Sequence, residues 1–297
     1  MALSEKRKGE LFIGSDVFFG GLFPILVVFT FARLSSANSL AWSALIAALV
    51  FACVMLYRGT WRELKNPLLW KYGFLIAMLV GVLFYGLYFG ALAYTTPGNV
   101  AIINLFQVFT TFLFFNVVRK EPLSRGYEVG ATLMVLGALI VLGRDWSGLN
   151  VGDVLVLAST LTIPIGNYYQ QVARTIASSE SIMFLRSTIS AAAIFGFVYI
   201  AGVAAPREDV LASLPFLVLN GVLFLGLSKM LWIEGIHRMS VTKATALVSL
   251  SPLLTLFFAW LFLHQAPNVW QLASLVPLIL GTLLLTDQIR LRSLLRG

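Results

Sequence analysis

Apolar positions in this chain gather into long runs, and polar positions are confined to short joints between them. Ten runs fall near residues 12–31, 37–57, 71–94, 97–118, 125–143, 151–172, 180–203, 211–236, 240–263 and 269–289. Each has roughly the 20 residues that a helix needs to cross the hydrocarbon core of a bilayer. The pattern predicts an all-α integral membrane protein of ten transmembrane helices. No joint is long enough to fold as a separate extramembrane domain. The first run is too long for the apolar stretch of a cleavable leader, so none is expected.

Composition agrees with lipid as the solvent. Of the 297 residues, 59% are hydrophobic and 11% charged, whereas a soluble domain carries about 25% charged residues. A single cysteine, Cys53, excludes a disulfide framework and a cysteine-based metal cluster. The formal charge is 21 − 13 = +8, and its distribution decides what it means. With the N-terminus in the cytoplasm, sixteen basic residues lie on that side: Lys6, Arg7, Lys8, Arg58, Arg62, Lys65, Lys71, Arg119, Lys120, Arg125, Arg174, Arg238, Lys243, Arg290, Arg292 and Arg296. Only Arg33, Arg144 and Arg207 lie opposite. By the positive-inside rule both termini are cytoplasmic, in a cytoplasmic (inner) membrane. The basic excess therefore orients the chain and contacts lipid headgroups, and nucleic acid is not expected as a partner.

Laid on itself with a shift of 144, the chain matches its runs two to five with runs seven to ten without a gap. Leu75, Leu79, Leu83 and Leu87 meet Leu219, Leu223, Leu227 and Leu231, and Gly137 meets Gly281. The first run needs a shift of 140, which places Pro24 on Pro164. This predicts two five-helix repeats, residues 1–146 and 147–297. Five is odd, so the second repeat enters the membrane from the other side and the halves are inverted. Inverted halves with a site between them are the architecture of alternating-access transporters. Pro24, Pro164 and Pro252, read as lying inside helices, each remove a backbone hydrogen bond and are candidate gating kinks.

The residues carrying a further resemblance are YFGALAYTTPGNVAIINLFQVFTTFLFF with the RKEPLS loop and Gly137, and WIEGIHRMSVTKATALVSLSPLLTLFFAWLFL with HQAPN and Gly281. Over essentially its whole length the chain resembles the EamA branch of the drug/metabolite transporter superfamily. In that family's pattern each copy has a proline in its fourth helix and a Gly-Glu pair thirteen residues on. Here Pro252 fits the second copy while Val108 replaces the first proline; Glu121 is kept in the first copy while Gln265 stands in the second. The resemblance implies a transporter and favours efflux, although the family includes importers.

Polar residues present in one half alone are the candidates for substrate-specific work. Arg186 lies opposite Trp42, or Ala44 if the SSESI and SANSL helix starts are aligned; Lys229 lies opposite Tyr85, and Glu234 opposite Gly90. Ionisable groups in a membrane face a cavity or a partner. Arg186 and Lys229 either attract a carboxylate or phosphate or extend to the headgroups. Glu234 either balances them, binds an ammonium or forms a structural ion pair with one of them. Asn104, Gln107 and Thr111 form one polar stripe on the fourth run, as path-lining groups or interhelical hydrogen bonds. Tyr85, Tyr88, Asn167, Tyr168, Gln171 and Trp232 are candidates to complete a pocket for a zwitterion with an apolar part. Glu234 and Asp16 are the titratable candidates for proton coupling, although Asp16 also reads as a solvated helix-start carboxylate.

There is no phosphate-binding glycine loop, nucleophile elbow or zinc motif. No catalysis, cofactor or metal is expected. The leading expectation is a secondary transporter of a small organic metabolite, an amino acid or related amphipathic compound, acting as monomer or homodimer in contact with lipid. The alternatives are a lipid translocator on the same scaffold and a membrane enzyme acting on lipid.

Overall fold

The computed structural model describes residues 5–120, 127–142, 150–285 and 289. Glu121, Arg125, Arg144, Arg290, Arg292, Arg296 and the expected repeat boundary at 146 lie outside the described residues. The helices are α1 (Glu5–Thr30), α2 (Ser36–Arg58), α3 (Pro67–Leu92), α4 (Pro97–Val118), α5 (Tyr127–Leu142), α6 (Val151–Ala173), α7 (Ser179–Ile200), α8 (Arg207–Arg238), α9 in two segments (Val241–Val248 and Ser251–Leu263) and α10 (Val269–Leu285). Seven of them, α1–α4 and α6–α8, are long and apolar enough to cross a membrane; α5, α10 and the second segment of α9 are shorter apolar helices. Among the described residues all regular structure is helical. The chain is a multi-pass membrane protein, with large apolar side chains such as Leu56, Tyr57, Leu139 and Val276 turned outward.

Helix starts follow from local chemistry. Ser35, Asn66, Thr96, Asn150 and Ser178 each cap a helix by accepting a backbone N–H of its first turn, and Pro67 and Pro97 occupy the position where a missing N–H is harmless. α1 begins seven residues before the expected start at 12. Its first turn is polar, with Lys8 paired to Glu5 at 2.6 Å, and hydropathy does not register it. The caps Ser35 and Ser178 are 178 − 35 = 143 residues apart. Ser43, not Trp42 or Ala44, is thus the positional counterpart of Arg186.

The shift of 144 also relates irregularities that no apolar pattern displays. α3 widens to π-helical turns over Ala77–Phe84 and α8 over Asn220–Ser228. Widened turns free backbone carbonyls for outside partners. α7 uses both: Ser190 Oγ donates to the Ala77 carbonyl at 3.3 Å and Arg186 Nη2 to that of Leu225 at 3.1 Å. α4 is interrupted at Leu105 and α9 at Ser249 and Leu250. The two breaks correspond although only the second copy has a proline, so tight turns such as Val108 N–H to Leu105 O, 2.9 Å, suffice to make the break.

The proline expectation is corrected in part. Pro24 lies within the continuous α1. Pro164 and Pro252 instead stand in the first turn of segments that begin after a break, where the absent N–H costs no helical bond.

The most extensive packing joins α2 with α7 and α5 with α10. α1 packs on α8 and α9, α6, itself broken between Thr160 and Ile163, packs on α3, and the interrupted α4 and α9 meet each other. One apolar cluster runs from Phe23 and Val27 through Tyr85, Ile102 and Met183 to Phe224 and Leu256, so the halves share a single core.

Candidate functional site

Between the halves lies a cavity of about 100 Å³. In such a measure one water needs roughly 10–15 Å³, so the space holds one small organic molecule or several waters. Its wall comes from α1, α6, α3, α8, α4 and α9, together with Arg186 from α7. Arg186 has no equivalent from α2 in the wall.

The apolar side is aromatic. Phe23 stacks on Tyr88 at 5.7 Å between centroids and meets Tyr85 edge-on at 6.0 Å, and Phe84 packs on Tyr85 at 4.9 Å. Trp232 lies across from them and donates its indole N–H to Asn167 Oδ1 at 3.2 Å. Gln170 donates to the same oxygen at 3.1 Å. Asn167 Nδ2 and Asn104 Oδ1 are buried without a hydrogen-bond partner among the described residues.

Charge enters on three helices. Arg186 is 3% exposed; it donates to the Leu225 carbonyl and lies 5.9 Å from the Tyr85 ring centroid. Lys229 Nζ is 3.8 Å from Asp16 Oδ1, and the same oxygen accepts a hydrogen bond from Ser228 Oγ. Asp16 is buried at 3% exposure. The reading of Asp16 as a solvated helix-start carboxylate is corrected: the helix begins three turns earlier, at Glu5, which carries Asp16 to the cavity.

Of the residues singled out in the sequence, Arg186, Lys229, Asp16, Asn104, Gln107, Tyr85, Tyr88, Asn167, Trp232 and Pro252 line this cavity. Others do not. Thr111 is fully buried away from it, a turn beyond Gln107. Tyr168, about 100° around α6 from Asn167, faces Arg119, whose guanidinium sits 4.4 Å from its ring centroid. Gln171 donates to the Ile236 carbonyl at 2.7 Å.

Glu234 also lies elsewhere, and its expected partnership with Arg186 and Lys229 is corrected. It accepts from Arg174 Nη2 at 2.9 Å, from Arg238 Nη1 and from Ser179 Oγ. Arg238 also reaches Glu5 at 3.0 Å, and nearby Arg58 reaches Glu180 at 3.3 Å. These groups border a second recess, of about 610 Å³, formed by the ends of α1, α2, α6, α7 and α8. The i, i+4 spacing of Glu234 and Arg238 was visible within α8, whereas Arg174 at the end of α6 and Ser179 on α7 come from other helices and were not. A Glu234→Gln variant is expected to lose about 1–2 kcal/mol, since two arginines lose their shared carboxylate in a partly exposed site. The fall in melting temperature in detergent should shrink as salt rises toward 1 M. An unchanged melting temperature at low salt would mean that the cluster adds no stability.

Sequence reasoning missed Phe23, Phe84, Gly20, Gln170 and Ser251 in the wall. Gln170 had a signal, three residues beyond Asn167 on one helical face. Phe23 had none beyond adjacency to Pro24, since aromatic residues are common in every run.

The EamA-like transporter family matches residues 7–143 and again residues 150–287. An uncharacterized transporter of Bacillus subtilis (strain 168), YyaM, is 23% identical over 296 residues, 95% of this chain and 94% of the relative. A second uncharacterized transporter of the same organism, YoaV, is 23% identical over 216 residues, 69% and 68% of the two chains. A crystal structure superposes with a TM-score of 0.67 over 95% of this chain and 97% of the other at 17% identity, which shows a shared fold alone. Matched in two successive copies that span nearly its whole length, the chain belongs to the EamA-like transporter family.

Proposed function

We propose that the protein is a secondary transporter that carries a small amphipathic organic metabolite through the cavity between its halves. The carrying observation is the cavity wall: α1, α3 and α4 of the first copy and their counterparts α6, α8 and α9 of the second all contribute to it. In this reading the chain makes ten membrane passes as inverted halves, with both termini cytoplasmic, and exchange of the halves' conformations opens the cavity to each side in turn. Efflux from the cytoplasm is the proposed direction, and a monomer suffices because one chain supplies the whole wall.

Asp16 is the proposed proton carrier, ahead of Glu234, because it is the carboxylate in the wall. Ser228 and Lys229 contact it, and the polar groups that share the cavity with it include Arg186, Tyr85, Tyr88, Asn104, Gln107, Asn167, Gln170, Trp232 and Ser251. Purified protein in liposomes is expected to move a labelled metabolite, with Arg186→Ala or Lys229→Ala lowering the rate at least tenfold without loss of fold. Asp16→Asn is expected to flatten the pH dependence of that flux. Full flux in both cation variants would refute the charged site, and no flux of any amino acid, organic acid, nucleoside or cationic drug would refute the transport reading.

A further inference from the structure

Resting on the cavity described above, we propose that it is an anion site whose ligand is a small monocarboxylate with an apolar or aromatic body, received by Arg186. Three charged groups line it, Arg186, Lys229 and Asp16. Lys229 is matched by Asp16 at 3.8 Å. Arg186 has no carboxylate within ion-pair distance among the described residues; it donates to the Leu225 backbone carbonyl, whereas a guanidinium carries five N–H donors. The count for the empty cavity is 2 − 1 = +1. A cation buried in a membrane and facing a cavity is stabilised by an anion there. One net negative charge neutralises this cavity. A zwitterion leaves it at +1, and an amine raises it to +2.

The remaining donors agree. Trp232 and Gln170 both donate to the oxygen of Asn167, and its buried Nδ2 has no acceptor among the described residues. Asn167 and Arg186 line the same cavity, and a planar guanidinium presents paired donors that match the two oxygens of a carboxylate. The rings of Phe23, Tyr85 and Tyr88 provide an apolar surface on the same cavity. With about 100 Å³ available, the body is on the order of a single ring or a branched chain.

The test compares phenylacetate and isovalerate with benzylamine and L-phenylalanine, by calorimetry and thermal shift on the purified full chain and by flux in liposomes. The expected result is binding of a carboxylate, at least tenfold weaker binding of the amine and the zwitterion, and at least tenfold weaker carboxylate binding in Arg186→Gln. Arg186→Lys, which keeps the charge and loses the fork, should fall between. Should Arg186→Gln fail to fold, Asn167→Asp serves instead: it removes the free amide and brings the cavity charge to zero, and should weaken carboxylate binding by a similar factor. The proposal is overturned if neither carboxylate binds, if benzylamine or L-phenylalanine binds as tightly, or if carboxylate binding is unchanged in the variants. Arg186-dependent binding without flux would uphold this inference and overturn the transport reading. Flux of an amine or zwitterion indifferent to Arg186 would do the reverse.

Discussion

An Asp16→Ala variant is expected to be less stable than the wild type by about 2–3 kcal/mol. Removing one member of a buried ion pair typically costs about 3–5 kcal/mol because the other charge is stranded. The Lys229 side chain keeps 20% of its exposure, whereas Asp16 keeps 4%, so residual screening places the loss below that range. The variant also deprives the Ser228 hydroxyl of its acceptor. Thermal unfolding in detergent checks the loss, and a second substitution tests its cause. Lys229→Met added to Asp16→Ala leaves no stranded ammonium and should recover most of the stability. A double variant as unstable as Asp16→Ala alone would show that the pair is not what holds these side chains.

The second large effect lies away from the cavity, where α5 meets α10. A Cβ at Gly281 would come within 2.7 Å of the Gly130 carbonyl, 2.9 Å of Met134 Cγ and 3.0 Å of Met134 N. Two of these are backbone atoms, which cannot rotate aside, so the helices must separate. Overpacking of this kind costs about 1–3 kcal/mol. Gly281→Ala also gains about 1 kcal/mol of helix propensity, which leaves a net loss of about 1 kcal/mol, and up to about 2 where the helices cannot relax. The same exchange at Gly86 of α3, where a Cβ meets nothing within 4 Å, should be neutral or mildly stabilising. Opposite signs for one chemical change, read as melting temperatures, separate contact from propensity. Equal shifts would refute the close approach.

Much of the fold was legible in the sequence because lipid imposes a strong, local requirement. A helix that crosses a bilayer must be apolar along its length, so the runs mark helices without reference to their neighbours. The serine, threonine and asparagine caps at Ser35, Thr96 and Asn150 are local as well. The two segments of α9 show where hydropathy overstates continuity. The break in α4 was not legible, since no proline marks Leu105. The π-helical turns were hidden too, because hydropathy does not distinguish one hydrogen-bond register from another.

The site divides in the same way. Arg186 and Lys229 stood out because a cation within an apolar run demands a partner or a cavity. Asp16 and Glu234 were placed wrongly in space because a carboxylate's partner is set by which helices pack together. Asp16 meets Lys229 across 229 − 16 = 213 residues of chain. Glu234 meets Arg174 across 234 − 174 = 60.

By itself the sequence determined the helices, their solvent, the repeat register and the presence of unusual intramembrane charge. Each of these depends on composition within one segment or on comparison of one segment with another. Tertiary structure alone decided that Asp16 neutralises Lys229, that Glu234 belongs to a separate cluster, and that Arg186 lines the cavity with no carboxylate at ion-pair distance among the described residues. Charge pairing falls off over a few ångströms, and only the packing of α1, α7 and α8 brings those groups within that range.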